Sequence, residues 1–187
     1  MKKKIASGAE AIVFLCEGKI IKQRVPKAYR DKQLDAKIIK TRNKQEASLL
    51  KRARNSGVNA PVVIAVGKDS ITMEKIDDSK EHKKYLERIG KDIAKLHNNW
   101  IIHGDLNLSN IATTKKKKVY FLDFGLGYLS KKTEDRATDL LVFKRTLKAS
   151  KSTEKYWERI EEGYRKESKD KNVIPRISEI ERRGRYL

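Results

Sequence analysis

Three side chains in the second half of the sequence have the types and spacing needed to handle a phosphoryl group. Asp105 is followed five positions later by Asn110, and Asp123 stands before Phe124-Gly125 at the end of an apolar run. Phosphoryl transfer needs a carboxylate beside the attacking oxygen and oxygen ligands for the Mg²⁺ that bridges the phosphates. We expect Asp105 to be the first group, and Asn110 and Asp123 to be metal ligands. The alternative, a simple turn and a strand end, does not account for the order and spacing of the residues.

Such a site also needs a loop that covers the phosphates and a cation that contacts them, and the first half of the chain offers both. Residues 7–11, Ser-Gly-Ala-Glu-Ala, lie between two predicted strands, although they include only one glycine. Lys22 ends the next strand, where its ammonium could reach the α- and β-phosphates. A helical carboxylate should orient this lysine; Glu46 is the better candidate and Asp35 the weaker one. The alternative is that Lys22 and Glu46 are exposed charges on a polar surface.

The chain is strongly basic. Its 187 residues include 45 Lys and Arg against 25 Asp and Glu, a net charge of +20, and half of this excess lies in residues 19–54. That balance points to a polyanionic partner, with nucleic acid ahead of a membrane surface. The single cysteine, Cys16, excludes an intrachain disulfide and a Cys-only metal site. No apolar run approaches the roughly 18 residues of a membrane span, so we expect a cytoplasmic protein.

Residues 1–77 are predicted to form a small lobe made of an antiparallel sheet and a basic helix. Alternating apolar positions and glycine-containing turns indicate five short strands. From Tyr29 to about Arg54 the pattern becomes helical and very basic, and Gly57 and Pro61 close the helix. The sequence therefore predicts an α+β chain with the lobe boundary after residue 77.

Residues 78–187 are predicted to form a reduced helical lobe around the catalytic loop. Helical spacing is found from Tyr85 to His97, around Phe143 and around Ile160. Pro175 is expected to separate the last of these helices from a basic tail. The tail carries Arg182, Arg183 and Arg185.

These motifs together resemble those of the small atypical kinases of the KEOPS complex, also called PRPK-type kinases. The resemblance covers nearly the whole chain and rests on Lys22-x-Arg24, Tyr29-Arg30, Leu34-Asp35-x-Lys37, Arg42-x-x-x-Glu46-Ala47, His103-Gly104-Asp105-Leu106-x-x-Ser109-Asn110, Asp123-Phe124-Gly125, Asp139-Leu140 and Arg182-Arg183-Gly184-Arg185. It implies a minimal bilobal protein-kinase-like fold, ATP and Mg²⁺ as cofactors, and serine/threonine autophosphorylation. It also implies ATP hydrolysis that supports threonylcarbamoylation of adenosine-37 in tRNA, beside a metal-dependent catalytic subunit and a small regulatory subunit.

The same resemblance implies roles for individual residues. Asp105 and Lys22 would be catalytic, and the three tail arginines would bind tRNA. Besides Lys22 and Glu46, the ATP site would include residues of the glycine-containing loop and the neighbouring strands: Ile5, Ala6, Ser7, Gly8, Ala9, Glu10, Val13, Met73, Glu74 and Ile76.

Two departures from ordinary kinases bear on function. Gly104 replaces the arginine that normally grips a phosphorylated activation loop, so switching by such a phosphate is not expected. No Ala-Pro-Glu follows Asp123-Phe124-Gly125, and fewer than 65 residues remain after it, so the lobe that docks peptide substrates is largely missing. An ATPase-like subunit inside an assembly therefore fits better than a dedicated protein kinase.

Three alternatives are weaker. Small-molecule phosphotransferases of the aminoglycoside or choline type share His-Gly-Asp but need a large helical insert, for which this chain has no room. A RIO-type ribosome-assembly kinase fits the size and charge, but the block from Tyr29 to Ala47 argues against it. The intact set of Lys22, Asp105, Asn110 and Asp123 argues against an RNA-binding pseudokinase.

Overall fold

The N-terminal part of the protein is built around an antiparallel sheet. A computed structural model describes residues 2–8, 10–149 and 155–183. The strands that form the sheet are β1 (Lys2–Ser7), β2 (Ala11–Cys16), β3 (Lys19–Arg24), β4 (Val63–Val66) and β5 (Ser70–Glu74). Within the described residues this sheet has five strands in the order β1-β2-β3-β5-β4, so the predicted strands are confirmed.

A tight turn between β2 and β3 sets the register of the strand that carries Lys22. Glu17 and Gly18 both have positive φ, 49° and 72°, as two-residue hairpins of the right twist require. The resulting register places Val13 opposite Lys22. Because β3 lies between β2 and β5, Lys22 stands on a central strand and not at an exposed edge.

The helix α1 (Lys32–Asn55) packs against β4 and β5. It begins three residues after the predicted Tyr29, because Asp31 caps it: this carboxylate accepts the N–H groups of Gln33 and Leu34, each at 3.0 Å. Its buried positions recur with helical spacing and include three polar residues among apolar ones: Asp35, Ile39, Asn43, Glu46, Leu49, Leu50 and Ala53. Of the polar residues, Asn43 and Glu46 lie mid-helix. In the parts of the chain described, no helix is both long and apolar enough to cross a membrane.

The C-terminal part is helical, with two small strand pairs that hold the catalytic loop. The elements are α2 (Leu86–Asn98), β6 (Ile101–Ile102), β7 (Ile111–Thr113), β8 (Val119–Phe121), β9 (Tyr128–Leu129), α3 (Thr133–Ala149), α4 (Tyr156–Glu167) and α5 (Val173–Arg183), with 3₁₀ turns at His82–Lys84 and Leu108–Asn110. β6 pairs with β9 and β7 pairs with β8. The loop that joins β6 to β7 and the loop that joins β8 to β9 are therefore held side by side.

The two helices α2 and α4 approach each other more closely than side chains would allow. An added Cβ at Gly90 would lie 1.9 Å from the carbonyl oxygen of Ile160, and one at Gly163 would lie 2.0 Å from that of Glu87. Only glycine fits at such backbone contacts. Because β6 and the catalytic loop follow α2, this contact anchors the segment that leads into the site.

The predicted break at Pro175 is wrong. Pro175 is the third residue of α5, within the first turn, where helical N–H groups have no intrahelical partner and proline is tolerated. The buried side chain of Ile177 helps to pack this helix against the core. Arg182 and Arg183 therefore lie in the last turn of α5 and not in a separate tail, and Arg185 lies outside the described residues.

Candidate active site

Lys22 connects the sheet to both α1 and the segment after β8. Its Nζ donates to Glu46 Oε1 at 2.8 Å and to Asp123 Oδ1 at 2.5 Å. The side chain of Lys22 is 11% exposed and that of Glu46 is 1% exposed. The structure therefore brings these two predicted residues together as a buried ion pair, and the alternative of two exposed surface charges is wrong.

Asp35, the weaker candidate for the partner of Lys22, stabilises a different part of the chain. Its carboxylate pairs with Arg30 at 3.2 Å and accepts the backbone N–H of Lys27 at 3.1 Å. These contacts hold the connection between β3 and α1 against the first turn of the helix. Its hydrogen bonds therefore serve the loop, while Glu46 is the carboxylate that contacts the lysine.

The side chain of Asp105 is oriented by two amides of its own loop. Asn110 Nδ2 donates to Asp105 Oδ2 at 2.8 Å and to the Asp105 carbonyl at 2.9 Å, and Asn107 Nδ2 donates to Oδ1 at 3.2 Å. Both carboxylate oxygens thus accept a hydrogen bond, which fixes the orientation of the group. Asn107 was not among the predicted site residues, although its position between Asp105 and Asn110 was a usable signal.

Asp139 on α3 fixes the backbone of the same loop, a role that the sequence did not reveal. Its carboxylate accepts the N–H of His103 at 2.9 Å and the N–H of Gly104 at 2.9 Å. The residue is buried on the apolar face of its helix. A carboxylate on a face otherwise marked by Leu140 and Phe143 was the available signal, because a buried acid needs partners.

Two buried histidines complete this support. His103 Nε2 lies 2.8 Å from the carbonyl oxygen of Leu122, and burial lowers the pKa of His103, so this ring is neutral and donates to that carbonyl. His97 contacts Asp139 at 3.1 Å and the hydroxyl of Tyr164 at 3.0 Å. Burial raises the pKa of Asp139, but its hydrogen bonds to His97 and to the backbone of His103 and its electrostatic interactions with both histidines outweigh burial. The pKa of Asp139 therefore lies below its ordinary value. The histidines thus brace the loop and are not placed as bases.

Asp123 and Asn110, the predicted metal ligands, are joined through the backbone. The N–H of Leu122, next to Asp123, donates to the carbonyl of Asn110 at 2.8 Å. Burial raises the pKa of Asp123, but the charge and hydrogen bond of Lys22 outweigh burial and hold the pKa below its usual value, so the group is an anion. Because Asp105 binds the amide nitrogen of Asn110, the amide oxygen remains as the possible ligand.

This oxygen pair suits Mg²⁺ better than other metals. Among the residues that the structure describes, no group of three or more His, Cys, Asp or Glu side chains could hold a metal ion. Mg²⁺ prefers oxygen ligands and keeps several waters, so one carboxylate and one amide can hold it together with substrate phosphates. The residues present therefore fit a magnesium–nucleotide complex rather than a resident metal cage.

The loop between β1 and β2 is tied to α1 through its acidic residue. The N–H of Gly8 donates to the carbonyl of Ala11 at 2.9 Å, which forms the turn. The carboxylate of Glu10 pairs with Arg42 at 2.8 Å and with Lys27 at 3.6 Å. The side chain of Glu10 is therefore engaged with cations, so the backbone of this loop and the Ser7 hydroxyl are left to contact phosphates. Ala9 lies outside the described residues.

The remaining predicted ATP-contacting residues lie on the sheet or next to it. Ala6 stands opposite Val13, which stands opposite Lys22, so these three side chains share one row across the sheet. The others lie on β1, at its end, at the end of β5 or just beyond it: Ile5, Ser7, Met73, Glu74 and Ile76. Their contact with ATP stays a prediction.

Two of the arginines predicted to bind tRNA, Arg182 and Arg183, lie on α5 and not on the elements that carry this cluster. Arg183 contacts Glu134 at 3.6 Å and Glu179 at 3.9 Å, and its side chain is 57% exposed. These partners belong to α3 and α5, which pack on each other. The described contacts of Arg183 thus involve no residue of the Lys22–Asp105–Asp123 cluster.

The known proteins to which this chain is similar agree with one another in being kinases or kinase-related subunits. The model of the lipopolysaccharide kinase (Kdo/WaaP) family matches residues 69–164, which include Asp105, Asn110 and Asp123. The chain is 39% identical to a probable serine/threonine-protein kinase BUD32 homolog of Archaeoglobus fulgidus, over 98% of this chain and 96% of the relative. It is 36% identical to the KEOPS complex subunit Bud32 of Pyrococcus abyssi, again over 98% and 96%.

A longer relative and a solved structure complete the comparison. The chain is 43% identical to a probable bifunctional tRNA threonylcarbamoyladenosine biosynthesis protein of Methanobrevibacter smithii, over 97% of this chain but 36% of the relative, so it spans about one third of that protein. The Rio2 kinase–ADP/Mg²⁺–phosphoaspartate complex from Chaetomium thermophilum has a TM-score of 0.65 at 15% identity, over 98% of this chain and 70% of that one. This likeness confirms the predicted α+β, kinase-like fold.

Proposed function

This chain belongs to the Bud32 family of serine/threonine kinases, and we propose on that premise that it is the ATP-dependent kinase/ATPase subunit of a KEOPS complex. The names of its relatives include a KEOPS complex subunit and a tRNA threonylcarbamoyladenosine biosynthesis protein. In that role the chain would support threonylcarbamoyl modification of adenosine-37 in tRNA, and we propose that it acts in the cytoplasm. The observation that carries the chemistry is the convergence of Lys22, Glu46 and Asp123 beside a loop in which Asn110 binds Asp105.

The proposed mechanism assigns one task to each of these groups. Asp105, held by two amides, takes the proton from an attacking hydroxyl or water, whose oxygen then bonds to the γ-phosphorus as the bond to ADP breaks. Lys22, oriented by Glu46, turns from Asp123 to the α- and β-phosphates. Asn110 and Asp123 would hold Mg²⁺, which would supply charge neutralisation on the phosphates.

The site has no room for the usual phosphorylation switch. Gly104 has φ of 81°, and an added Cβ there would lie 2.3 Å from the carbonyl oxygen of Leu126. An arginine at this position would therefore collide with the backbone after the Asp123-Phe124-Gly125 motif. This supports an enzyme whose activity is set by partners and substrate, and not by phosphorylation of its own loop.

Partners are proposed on the same basis. The N-terminal lobe (residues 1–77) and C-terminal lobe (78–187) would form the ATP cleft, and the basic surface would face tRNA. A catalytic, threonylcarbamoyl-transferring subunit and a small regulatory subunit would complete the assembly.

The function is tested by measuring ATP turnover of the purified chain with and without Mg²⁺, tRNA and the presumed catalytic subunit. We expect Mg²⁺-dependent hydrolysis that tRNA and the catalytic subunit stimulate, because the proposed activity is set by partners and substrate. If no mixture shows Mg²⁺-dependent ATP binding or turnover, the kinase/ATPase proposal is wrong. If ATP turnover is present but neither tRNA nor the partner changes it, the role in tRNA modification is contradicted. The kinase/ATPase assignment would then stand.

The proposed role of the C-terminal arginines can be tested by changing Arg182, Arg183 and Arg185 to glutamine together. Guanidinium groups make charge-assisted hydrogen bonds to phosphate oxygens, so tRNA affinity at fixed salt should fall by roughly tenfold to a hundredfold. The dependence of affinity on salt should also weaken. ATP turnover without tRNA should stay within about twofold, because the described contacts of these residues lie outside the active site.

A matched control removes equal charge elsewhere. Changing Lys115, Lys116 and Lys117 at the β7–β8 turn to glutamine should reduce tRNA affinity much less. If both triple variants lose affinity equally, the arginines contribute only general charge. If the arginine variant stops turnover but keeps tRNA affinity, the segment belongs to the active site.

A further inference from the structure

Arg24 is a buried cation next to the active site for which the mechanism above has no task. It ends β3, two residues after Lys22, and its side chain is 3% exposed. Its Nη2 donates to Glu46 Oε2 at 2.6 Å, and its Nε donates to Asn43 Oδ1 at 2.9 Å. Its backbone N–H donates to the carbonyl of Asp69 at 2.8 Å, which joins the end of β3 to the β4–β5 turn.

Glu46 is thus held by two cations, one on each oxygen. Lys22 binds Oε1 and Arg24 binds Oε2. Side chains two residues apart on a strand project from the same face, so Lys22 and Arg24 contact Glu46 from the same side of the sheet. A carboxylate that is 1% exposed needs such compensation, because an unpaired buried charge is strongly unfavourable.

The two cations have different freedom to leave Glu46. Lys22 also contacts Asp123 and, in the proposed mechanism, turns toward the phosphates, so it divides its donors between Glu46 and other acceptors. Arg24 is nearly inaccessible and forms all its described side-chain contacts with two residues of α1. The amide nitrogen of Asn43 has no hydrogen-bond partner among the described residues. Asn43 therefore contributes to this contact through its amide oxygen, which accepts from Arg24 Nε and fixes the plane of the guanidinium.

Resting on the proposed function, we propose that Arg24 is a positioning residue that holds α1 in the catalytic arrangement independently of Lys22. With Glu46 Oε2 anchored by Arg24, Lys22 can exchange Asp123 for phosphate oxygens without releasing the helix. We call the contact of Arg24 with Glu46 and Asn43 the clamp. It also reaches the loop after β8, because an added Cβ at Gly125 would lie 3.2 Å from Lys22 Nζ and 3.4 Å from Arg24 Nη2. The helix is therefore locked in place by the sheet itself, which agrees with the absence of a phosphorylation switch.

The burial of Arg24 distinguishes positioning from direct catalysis. A cation that contacted phosphate would have to face the cleft, whereas this guanidinium is enclosed by Asn43 and Glu46. Lysine cannot replace it fully, because the donors of an ammonium share one nitrogen, whereas the planar guanidinium reaches Asn43 and Glu46 from two separate nitrogens, Nε and Nη2. Arg24→Lys should therefore keep the charge but lose one of the two bonds, and Arg24→Met should lose both.

The test compares ATP turnover of Arg24→Met, Arg24→Lys and the control Arg52→Met, which changes an exposed arginine on α1, the helix that carries Glu46. We expect kcat to fall roughly tenfold to a hundredfold in Arg24→Met, the loss typical of misplaced catalytic groups, with a smaller change in KM for ATP. Arg24→Lys should restore part of kcat, and Arg52→Met should match the wild type. Thermal unfolding of each variant shows whether it is folded at the assay temperature; if Arg24→Met is not, Arg24→Lys is compared with the wild type alone.

A double-mutant cycle with Glu46→Gln shows whether Arg24 acts through Glu46. If it does, Arg24→Met should lower kcat by far less in the Glu46→Gln background than in the wild type. Equal losses in both backgrounds, or unchanged kcat in folded Arg24 variants, would overturn the inference. A wild-type chain without turnover would instead overturn the proposed function, and the inference with it.

Discussion

Replacing Asp123 with alanine should reduce Mg²⁺-dependent ATP turnover by about 10³-fold or more. A metal that neutralises phosphate charge contributes several kcal/mol to the transition state, and alanine offers no ligand for it. The carboxylate is an anion in the native structure, because Lys22 holds its pKa below the usual value. Its loss also leaves Lys22 without one of its two acceptors. Turnover and nucleotide binding should be measured across a Mg²⁺ titration.

The backbone at this position requires a second variant. Asp123 has φ of 53°, a conformation that asparagine and aspartate tolerate better than alanine. In Asp123→Asn the side chain still tolerates this backbone conformation but is a poorer ligand for Mg²⁺. We expect this variant to lose nearly as much turnover as Asp123→Ala while it unfolds at the same temperature as the wild type. Glu158→Ala, which removes an exposed carboxylate on α4, should change neither property. Wild-type turnover in both Asp123 variants would remove the kinase assignment.

Asp105→Asn should lower turnover by about 10²-fold or more while the affinity for ATP stays nearly unchanged. A positioned acid/base group contributes on the order of 10²–10⁴-fold, and asparagine cannot accept the proton of the attacking group. Nucleotide affinity should persist because Asp105 contacts Asn107 and Asn110, and neither contact involves Lys22, the cation proposed to bind the phosphates. Steady-state turnover and nucleotide titration together give the two quantities.

The hydrogen bonds of Asp105 call for a separate control. Both of its oxygens accept from amides, so an asparagine there must lose one of the two bonds. Asn107→Ala breaks the 3.2 Å bond to Oδ1 but keeps the carboxylate, and we expect a much smaller loss of turnover. If Asn107→Ala costs as much as Asp105→Asn, loop order and not proton transfer explains the effect. A large loss of ATP affinity in Asp105→Asn would likewise show that its role is misassigned.

Local patterns in the sequence were enough to predict the five strands of the N-terminal sheet, most of the helices and the catalytic loop. The two-residue strands β6 and β9 were not predicted. Asp105 and Asn110 lie within one short loop, and their mutual hydrogen bond depends only on that loop, so spacing alone could reveal it. The same holds for the helix of residues 32–55, whose start was misplaced only because the capping role of Asp31 was overlooked. Pro175 misled for a related reason, since proline in a first helical turn looks in sequence like a break.

The partners of Lys22 were decided by tertiary structure. Glu46 follows it by 24 positions and Asp123 by 101, and a sequence without an alignment carries no distance between such segments. Local spacing favoured Glu46 but could not exclude Asp35, since both are acids on one helix. The choice was made by the packing of α1 on the sheet, which buries Glu46 beside Lys22 and turns Asp35 toward Arg30.

The residues that support the site were determined by tertiary structure alone. In sequence Arg24 is one of 45 basic residues, and only the approach of β3 to α1 turns it into a buried clamp on Glu46. Asp139 is one acid on a helix until that helix passes beneath the backbone of His103 and Gly104. The sequence by itself thus determined which chemical groups are available and their order along the chain. Packing decided which charges are buried together, because desolvation and pairing depend on neighbours that are distant in sequence.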